Sequence, residues 1–591
     1  MGFNRDTVIE TVLIFTLLGG IALGVYISYE YFIITPLALI ALIVFNKIKK
    51  NRLIRLGKEK LKLEWGSDHI EKRVIEDIKK LFDFLSKKRG NSFVIDDITW
   101  RDLNMDSVFA KIDHTKSLPG MNYLYNMLRN PLFDKKELQE RNNIINSFKE
   151  NKNLSIEIQW PLSILGKKEG KDIFFYFENG LNVKTNKLII YRILSILSYL
   201  SVGLLVINRE IGFTIFMLVW GINAGIYQKN KNKVHEEIEV FIYLGNLVKC
   251  LDSIVKVKVN KAGIYIDNNK LKSLLKPTNK IYKNISKLNT SAYGTSDIQI
   301  LMDYINMVTL RETIIFYNTI NLINEYREEF IEIYKAIGEI DAYISIASYK
   351  DSLGYYTEPR LIEDSSKIYL YTEKMYHPLL DDPVPYTFEL NNRGVLVTGS
   401  NASGKSTYLR SIGVNALFSQ TMYLVLAKEY EANYFKLLTS IGTTDSIEEG
   451  DSYFMTEAKS LKRVIDSLSP NQPVLCILDE IFRGTNTAER ISAAKEVLNY
   501  MINRNTLVVA ATHDLELTTM VNDRYDNYHF QEDIKENDIE FDYVLRKGPC
   551  TSRNAIAILR YLGYPKEIYD NANRNVDCTN LNNPSKISGK F

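Results

Sequence analysis

The feature that most constrains the fold of this chain is a short apolar segment followed directly by a glycine-rich loop. The apolar residues are Gly394–Thr398, and the loop reads GSNASGKST over Gly399–Thr407. Glycines let the backbone turn so that successive N–H groups point at a phosphate, and a helix that begins after the loop adds its positive end. The pattern therefore predicts a strand, a phosphate-binding loop and a helix, which together form the core of a nucleotide-binding α/β domain.

The residues of this loop have different predicted roles. Lys405 brings a positive charge to the β- and γ-phosphate oxygens, and the hydroxyl of Ser406 can ligate Mg²⁺. The other members of the predicted nucleotide cradle are Gly399, Ser400, Asn401, Ala402, Ser403, Gly404 and Thr407. The predicted ligands are ATP and Mg²⁺.

Two further apolar segments end in chemically useful residues. Val474–Leu478 is followed by Asp479 and Glu480, a Walker B pattern in which Asp479 holds Mg²⁺ and Glu480 deprotonates the attacking water. Leu507–Ala511 is followed by Thr512 and His513. His513 is predicted to sense the γ-phosphate, although a lone histidine after a strand is also a common structural residue.

Net charge, cysteines and histidines give limited information about partners and metal sites. The net charge of +3 over 591 residues argues neither for nor against nucleic acid as a partner. The four cysteines are far apart and show no CxxC spacing, which fits a reducing compartment and gives no cysteine metal site. The six histidines form no ligand cluster.

The N-terminal half contains two pairs of apolar runs. The first pair is Thr11–Ile27 and Tyr31–Phe45, and the second is Leu188–Ile207 and Ile211–Tyr227. A buried helical hairpin or a cleaved signal peptide would also explain one short run, but the second run of the first pair and the absence of a small-residue cleavage site disfavour a signal peptide. Lysines flank both pairs on the same side, which the positive-inside rule associates with the cytoplasm. We therefore predict a multi-pass protein of the cell membrane with four spans, and with the ATPase domain and both termini in the cytoplasm.

The motifs around the predicted nucleotide site resemble those of the MutS family of DNA mismatch-recognition proteins. The segment Asp479–Arg490 resembles that family's Walker B element, and Ala510–Asp514 resembles its histidine switch. The loop between them and the phosphate loop resembles the family signature that completes the partner subunit's site, with Asp445, Ser446, Gly450 and Ser452 at the matching positions. For Ser452 a helix cap is the local alternative. The resemblance implies a homodimer with composite ATP sites and implies DNA as a partner.

The sequence also departs from the family pattern. Ser400, Ala402 and Ser403 replace the usual Pro, Met and Gly, and Phe482 replaces a usual Gly. The stretch between the first hairpin and the core is too short for the family's mismatch-reading and connector domains, so we do not expect direct mismatch recognition.

The expected architecture is an α/β P-loop ATPase domain, with the parallel sheet of ABC and MutS proteins, C-terminal to an all-α core that carries two transmembrane hairpins. The predicted order is a membrane hairpin (1–50), a first part of the helical core (51–186), a second hairpin (187–228), further core with a reduced clamp (229–350), the ATPase domain (351–548), dimerisation helices (549–572) and a polar tail (573–591).

The predicted function is that of a membrane-anchored, MutS-like ATPase that hydrolyses ATP and is related to mismatch repair. A transporter-type ATPase is disfavoured because the Leu-Ser-Gly-Gly-Gln signature is absent and the segment between Lys405 and Asp479 is too short for an exporter's helical subdomain. The spans also show no polar path at mid-membrane. A nucleotide-gated scaffold without chemistry is the other alternative, and Glu480 argues against it.

Overall fold

The computed structural model describes residues 5–67, 75–88, 90, 92–167, 173–180, 187–257, 267–288, 304–364, 367–400, 403–442, 453–469, 471–521, 523–535, 538–550, 556, 559 and 562–581. All contacts discussed below are between these residues.

The first part of the chain is helical. A short 3₁₀ helix, Tyr29–Ile33, separates the first two α-helices. The helices are α1 (Arg5–Tyr26), α2 (Ile34–Glu64), α3 (Ile75–Ser86), α4 (Asp97–Asp102), α5 (Met105–Ile112), α6 (Leu118–Arg129), α7 (Lys135–Glu150), α8 (Lys152–Leu165), α9 (Ile173–Asn179), α10 (Leu188–Ile207), α11 (Arg209–Lys256), α12 (Asn268–Leu288), α13 (304–309), α14 (Arg311–Glu325) and α15 (Arg327–Ser352).

The second part alternates strands and helices. The helices are α16 (Lys405–Thr421), α17 (Tyr453–Asp466), α18 (Thr487–Ile502) and α19 (Leu517–Met520), followed by Lys566–Leu581. The strands are β1 (Arg360–Ile362), β2 (Tyr369–Met375), β3 (Tyr386–Asn391), β4 (Gly394–Thr398), β5 (Glu429–Asn433), β6 (Lys436–Ser440), β7 (Val474–Asp479), β8 (Thr506–Ala511), β9 (Tyr525–His529), β10 (Glu532–Lys535), β11 (Asp538–Phe541) and β12 (Arg546–Lys547). A mixed α/β region therefore follows a helical N-terminal region, as predicted.

The chain divides into two compact units. The helical unit comprises residues 1–69, 114–121 and 147–352, and the α/β unit comprises 70–113, 122–146 and 353–591. The α/β unit thus includes α3 to α5 and most of α6 and α7, which precede its sheets by more than two hundred residues in the chain.

Within the described part of the helical unit, four helical segments are long and apolar enough to cross a membrane. They are Arg5–Tyr26, Tyr29–Glu64, Leu188–Leu205 and Arg209–Asn230. Large apolar side chains on all four face outward, for example Phe15, Leu37, Ile189 and Leu218, each more than 60% exposed. A water-soluble surface rarely shows apolar side chains at this density. The four segments correspond to the four predicted spans.

Close packing joins the two helices of the first pair. A Cβ atom at Gly20 on α1 would lie 3.1 Å from the Cβ of Ile34, the first residue of α2, so the two helices approach closely at this glycine. Glu10 on α1 accepts a hydrogen bond of 2.8 Å from Lys49 on α2, and Asp6 lies 3.8 Å from Arg52. Acidic residues near the start of α1 therefore lie beside the lysine-rich part of α2.

Two of the apolar helices continue without a break into the rest of the helical unit. Helix α2 has 31 residues, and its C-terminal end packs within the helical unit. Leu61 is buried, and Trp65 Nε1, just after the helix, donates a hydrogen bond to Asp351 Oδ2 at 2.7 Å. Helix α11 has 48 residues and ends with Leu251 and Ile254 buried. At about 1.5 Å per residue, α11 is about 72 Å long.

The main sheet of the α/β unit has six strands in the order β12-β9-β4-β8-β7-β6. Strands β9, β4, β8, β7 and β6 are parallel, and β12 joins one edge in the antiparallel direction. Every residue of β4 and β8 is buried, which is typical of a parallel sheet covered on both faces. Because the strands are parallel, the segments that follow β4, β7 and β8 meet at one edge of the sheet.

Candidate nucleotide-binding site

The described parts of the loop after β4 have backbone conformations that favour glycine. Gly399 and Gly404 have φ angles of +129° and +106°, which residues with a Cβ atom rarely adopt. A Cβ at Gly399 would also lie 2.7 Å from the carbonyl oxygen of Phe530. Helix α16 begins at Lys405, so its N-terminal end faces the loop. The predicted strand, loop and helix are therefore present in the predicted order.

Lys405 lies at the centre of this edge of the sheet. Its side chain is fully buried, and its Nζ donates a hydrogen bond to the carbonyl oxygen of Gly399. The same Nζ lies 3.4 Å from both ring nitrogens of His513, which follows β8. The structure therefore brings together a loop lysine and a histidine that are 108 residues apart in the chain.

Ser406 and Asp479, the two residues predicted to bind Mg²⁺, are in direct contact. The hydroxyl of Ser406 donates to Asp479 Oδ2 at 2.9 Å, while Asp479 Oδ1 is buried and has no hydrogen-bond partner among the described residues. Burial raises the pKa of Asp479, and the bond from Ser406 partly offsets this effect. A buried carboxylate oxygen without a partner beside a hydroxyl suits Mg²⁺, which prefers oxygen ligands and needs only one or two from the protein when a nucleotide supplies others.

Glu480 is held by two neighbours. Its Oε1 lies 2.8 Å from His513 Nε2, and its Oε2 lies 3.1 Å from Arg483 Nη1. The backbone of Glu480 has a φ of +49°, an unusual value for a residue other than glycine. Its N–H donates to the carbonyl oxygen of Ala511 at 3.0 Å, which anchors the start of the loop to β8. The carboxylate therefore points toward the same space as Lys405 and His513.

A second carboxylate, Glu457 on α17, holds the loop that follows Glu480. Glu457 is 4% exposed, and its Oε1 accepts hydrogen bonds from the backbone N–H groups of Phe482 and Arg483. Burial raises its pKa, and these bonds oppose the increase. Phe482 has a φ of +61°, so the loop contains two residues in an unfavourable conformation.

Sequence reasoning missed this role of Glu457. A signal was present, because Glu457 lies at helical spacing with Leu461 and Val464, both of which are buried. A carboxylate on the buried face of a helix needs hydrogen-bond donors, and backbone N–H groups of a nearby loop are the usual source.

Arg490 and Asp514 form another connection across the site. The guanidinium group donates two hydrogen bonds to the carboxylate, at 2.8 and 2.6 Å. Two parallel bonds of this kind fix both position and orientation. They join α18 to the residue that follows His513, so the position of His513 depends on α18.

Some other predicted site residues make only local contacts, and the rest are not described by the structure. Ser403 donates to the carbonyl oxygen of Ser400 at 2.6 Å, which closes the loop on itself. The carbonyl oxygen of Thr407 accepts a bond of 2.7 Å from Ser411 within α16. Six predicted residues lie outside the described part of the chain: Asn401, Ala402, Asp445, Ser446, Gly450 and Ser452.

Fold and site together define a class of protein: a mixed α/β domain, C-terminal to a helical region, with a glycine-rich loop, two carboxylates and a histidine at the carboxyl edge of its main sheet. A family model for MutS domain V matches residues 395–579, which include all three strand ends. The match assigns residues 395–579 to the MutS family, as the motifs predicted.

Curated relatives support this assignment. The DNA mismatch repair protein MutS of Prochlorococcus marinus strain MIT 9301 is 27% identical over 586 residues, which cover 86% of this chain and 62% of the relative. The protein of that name from Methanosarcina acetivorans is 30% identical over 340 residues, covering 54% and 37% of the two chains. One from Thermus thermophilus is 29% identical over 270 residues, covering 45% and 32%. The chain thus spans about three fifths or less of the length of these relatives.

Proposed function

We propose that this protein is a membrane-anchored ATPase of the MutS family, which binds and hydrolyses ATP with Mg²⁺ and acts in a process related to mismatch repair. The observation that carries the proposal is the convergence of Lys405, Ser406, Asp479, Glu480 and His513 at one edge of a parallel sheet. Ligands of doubly wound sheets bind at this edge, outside the carboxyl ends of the strands.

In the proposed reaction, water attacks the γ-phosphorus of ATP and the bond to the β,γ-bridging oxygen breaks. Glu480 orients the water and accepts its proton. Lys405 neutralises charge on the phosphate oxygens, and His513 is close enough to Lys405 and Glu480 to respond to the γ-phosphate. Ser406 and Asp479 would hold Mg²⁺, which would neutralise further charge on the phosphates.

The membrane part of the proposal rests on the four apolar helices. Their outward-facing apolar side chains need lipid or protein around them. Lysine and arginine residues follow the first pair from Lys47 onward, which favours insertion with this flank in the cytoplasm. In this arrangement the ATPase domain and both termini are cytoplasmic.

The dimer and DNA parts of the proposal come from family membership. The relatives are named DNA mismatch repair proteins, and we extend DNA binding to this chain on that basis. For the homodimer, Ser452 would complete the neighbouring subunit's ATP site.

ATP binding and hydrolysis by the detergent-extracted full chain test the catalytic proposal. Lys405→Ala should abolish tight nucleotide binding because it removes the charge paired with the phosphates. Glu480→Gln should keep binding and stop turnover because the amide cannot accept the proton. Hydrolysis by Glu480→Gln at the parental rate would exclude Glu480 as the base. The same assay with homoduplex, mismatched and branched DNA tests whether any of these structures changes the rate.

A mixing experiment tests the composite site. Ser452→Ala and Lys405→Ala chains should each be inactive, and mixed dimers should regain part of the activity. The reason is that one of the two sites in a mixed dimer then has an intact lysine facing an intact serine. No recovery in verified mixed dimers would exclude a role for Ser452 in the partner's site.

A further inference from the structure

The second pair of apolar helices encloses polar side chains. Asn223 on α11 is fully buried, as is Ser201 on α10, and Ser198 is 2% exposed. An asparagine at such a position in a membrane span is costly unless its amide is hydrogen-bonded. Here the Asn223 amide nitrogen donates to Ser198 Oγ at 2.8 Å, while Asn223 Oδ1 is buried without a hydrogen-bond partner among the described residues.

The remaining partner of this cluster is a backbone carbonyl from α13. The carbonyl oxygen of Val308 accepts hydrogen bonds from Asn223 Nδ2 at 2.6 Å and from Ser198 Oγ at 2.8 Å. The next turn is interrupted at Leu310, which is fully buried and has a φ of +52°. The last carbonyls of a helix lack partners within the helix. The side chains of Ser198 and Asn223 supply partners for one of these carbonyls, that of Val308, so α10 and α11 both contribute to a cap at the end of α13.

The contact lies well inside the apolar part of the hairpin. Ser198 is ten residues beyond Leu188, the first residue of the 20-residue helix α10, which corresponds to about 15 Å of rise. The hydrocarbon core of a bilayer is about 30 Å thick, so Ser198 would lie near half its depth. Nearer the start of α10, Arg192 donates to Asn318 Oδ1 on α14 at 2.7 Å.

The outer face of α13 is exposed within about one helical turn of Val308. Asn306 and Thr309 are buried, whereas Tyr304 is 56% exposed and Ile305 is 39% exposed. The Val308 carbonyl, which would otherwise be unsatisfied in lipid, is capped by the hairpin, and the exposed side chains Tyr304 and Ile305 are amphipathic and apolar. Irregular backbone is tolerated at membrane depth only when its polar groups are satisfied in this way.

We propose that residues 304–310 form a re-entrant segment, which inserts into the bilayer beside α10 and α11 and presents Tyr304 and Ile305 to lipid acyl chains. This inference rests on the membrane anchoring proposed above and adds a fifth membrane contact to it. It also links the membrane to α14 and α15, because α14 begins directly after Leu310.

Spin labels in liposomes test the depth of this segment. The full chain, with its native cysteines replaced by serine, receives one label at Ile305→Cys. Leu200→Cys on the exposed face of α10 is the matched lipid control, and Tyr500→Cys on α18 is the aqueous control. Relative accessibility to oxygen and to a water-soluble nickel chelate gives the depth of each label, because oxygen concentrates in lipid.

The expected result is that the Ile305 label, like the Leu200 label, is more accessible to oxygen than to the nickel chelate. If Leu200 shows the lipid pattern and Ile305 shows the aqueous pattern of Tyr500, the re-entrant segment is wrong and the membrane anchor stands. If Leu200 also shows the aqueous pattern, the anchor itself is wrong, and the inference falls with it.

A second variant tests whether the cap holds the segment in place. Asn223→Leu removes one of the two donors to the Val308 carbonyl and puts an apolar side chain of similar size in its place. The Ile305 label should then change to the aqueous pattern while the Leu200 label keeps the lipid pattern. Ile222→Ala, at the exposed neighbouring position, should change neither label. An Ile305 label that keeps its lipid pattern in Asn223→Leu would show that this cap does not hold the segment.

Discussion

Replacing Glu457 by alanine should disable hydrolysis without removing nucleotide binding. The change leaves the N–H groups of Phe482 and Arg483 without their carboxylate acceptor, at a cost of about 1–3 kcal/mol each. Glu480 and Phe482 both have positive φ, which costs about 1–2 kcal/mol per residue. Once the hydrogen bonds are lost, relaxation of this strain favours a different loop conformation, and Glu480 moves with the loop.

The expected loss of rate is large because Glu480 must be placed accurately. A displacement of about 1 Å in a catalytic group lowers the rate about 100-fold, so we expect at least that loss in kcat for Glu457→Ala. Glu457→Gln keeps one oxygen acceptor and should lose less. ATP affinity should change little, because no hydrogen bond of the described residues joins Glu457 to the loop Gly399–Ser406.

The matched control is Asp466→Ala, which removes a carboxylate from the same helix. Asp466 is 59% exposed and pairs only with Lys462 among the described residues, so its loss should cost no more than about 1 kcal/mol. Hydrogen exchange at Phe482 and Arg483 gives a readout independent of activity. Unchanged exchange in Glu457→Ala, or a loss of ATP affinity as large as the loss of rate, would refute the reasoning.

Three other predictions follow from single features. Gly399→Ala should abolish nucleotide binding because the added Cβ would lie 2.7 Å from Phe530 O. Gly354→Ala, whose added Cβ would have no atom within 4 Å, should bind nucleotide as the parent does. Equal binding by both variants in a nucleotide titration would contradict this prediction. Burial, with Arg410 and Lys111 nearby, lowers the pKa of His377 to about 4, so the neutral form is favoured in the folded state and stability is lost as pH falls below 6.5. Relative to His377→Asn, denaturant titrations should show a loss of about 2 kcal/mol between pH 6.5 and pH 5, and a constant difference would exclude the effect. Reporters inserted near Glu64 and fused after Phe591 should both resist protease added outside intact cells, and cleavage of either would refute the four-span arrangement.

The strands of the nucleotide site could be predicted from the sequence because local patterns specify them. The predicted strand Gly394–Thr398 is β4, and the segment predicted from Val474 begins β7. Runs of consecutive apolar residues define buried parallel strands, and glycines and carboxylates mark where they end. The convergence of Lys405, Asp479 and His513 then follows from the parallel direction of the strands.

Contacts between distant segments could not be predicted in this way. Asp102, from a helix far upstream, accepts hydrogen bonds from Thr439 Oγ1 at 2.7 Å and from the N–H of Ile441 at 2.8 Å. Asp102 and its two partners are more than 330 positions apart in the chain, so no local sequence pattern predicts these hydrogen bonds. The same limit explains why the grouping of residues 70–113 with the C-terminal sheets was not foreseen. The hydrogen bond from Asn223 to the Val308 carbonyl, 85 residues away in the chain, was missed for the same reason.

The unbroken helix α11 has a consequence for how two copies would meet. Between Tyr227 and Lys256 it continues for about 44 Å as an unbroken helix. In a copy inserted in a bilayer, a rigid helix rather than a flexible linker would therefore connect the membrane span to the rest of the helical unit. Two copies in one membrane share the same inside and outside, so a symmetric pair can form only around an axis perpendicular to the bilayer. Two such copies would meet by diffusion in the plane of the membrane, with most relative orientations excluded. The fraction of paired sites would then depend on the density of subunits in the membrane rather than on their bulk concentration.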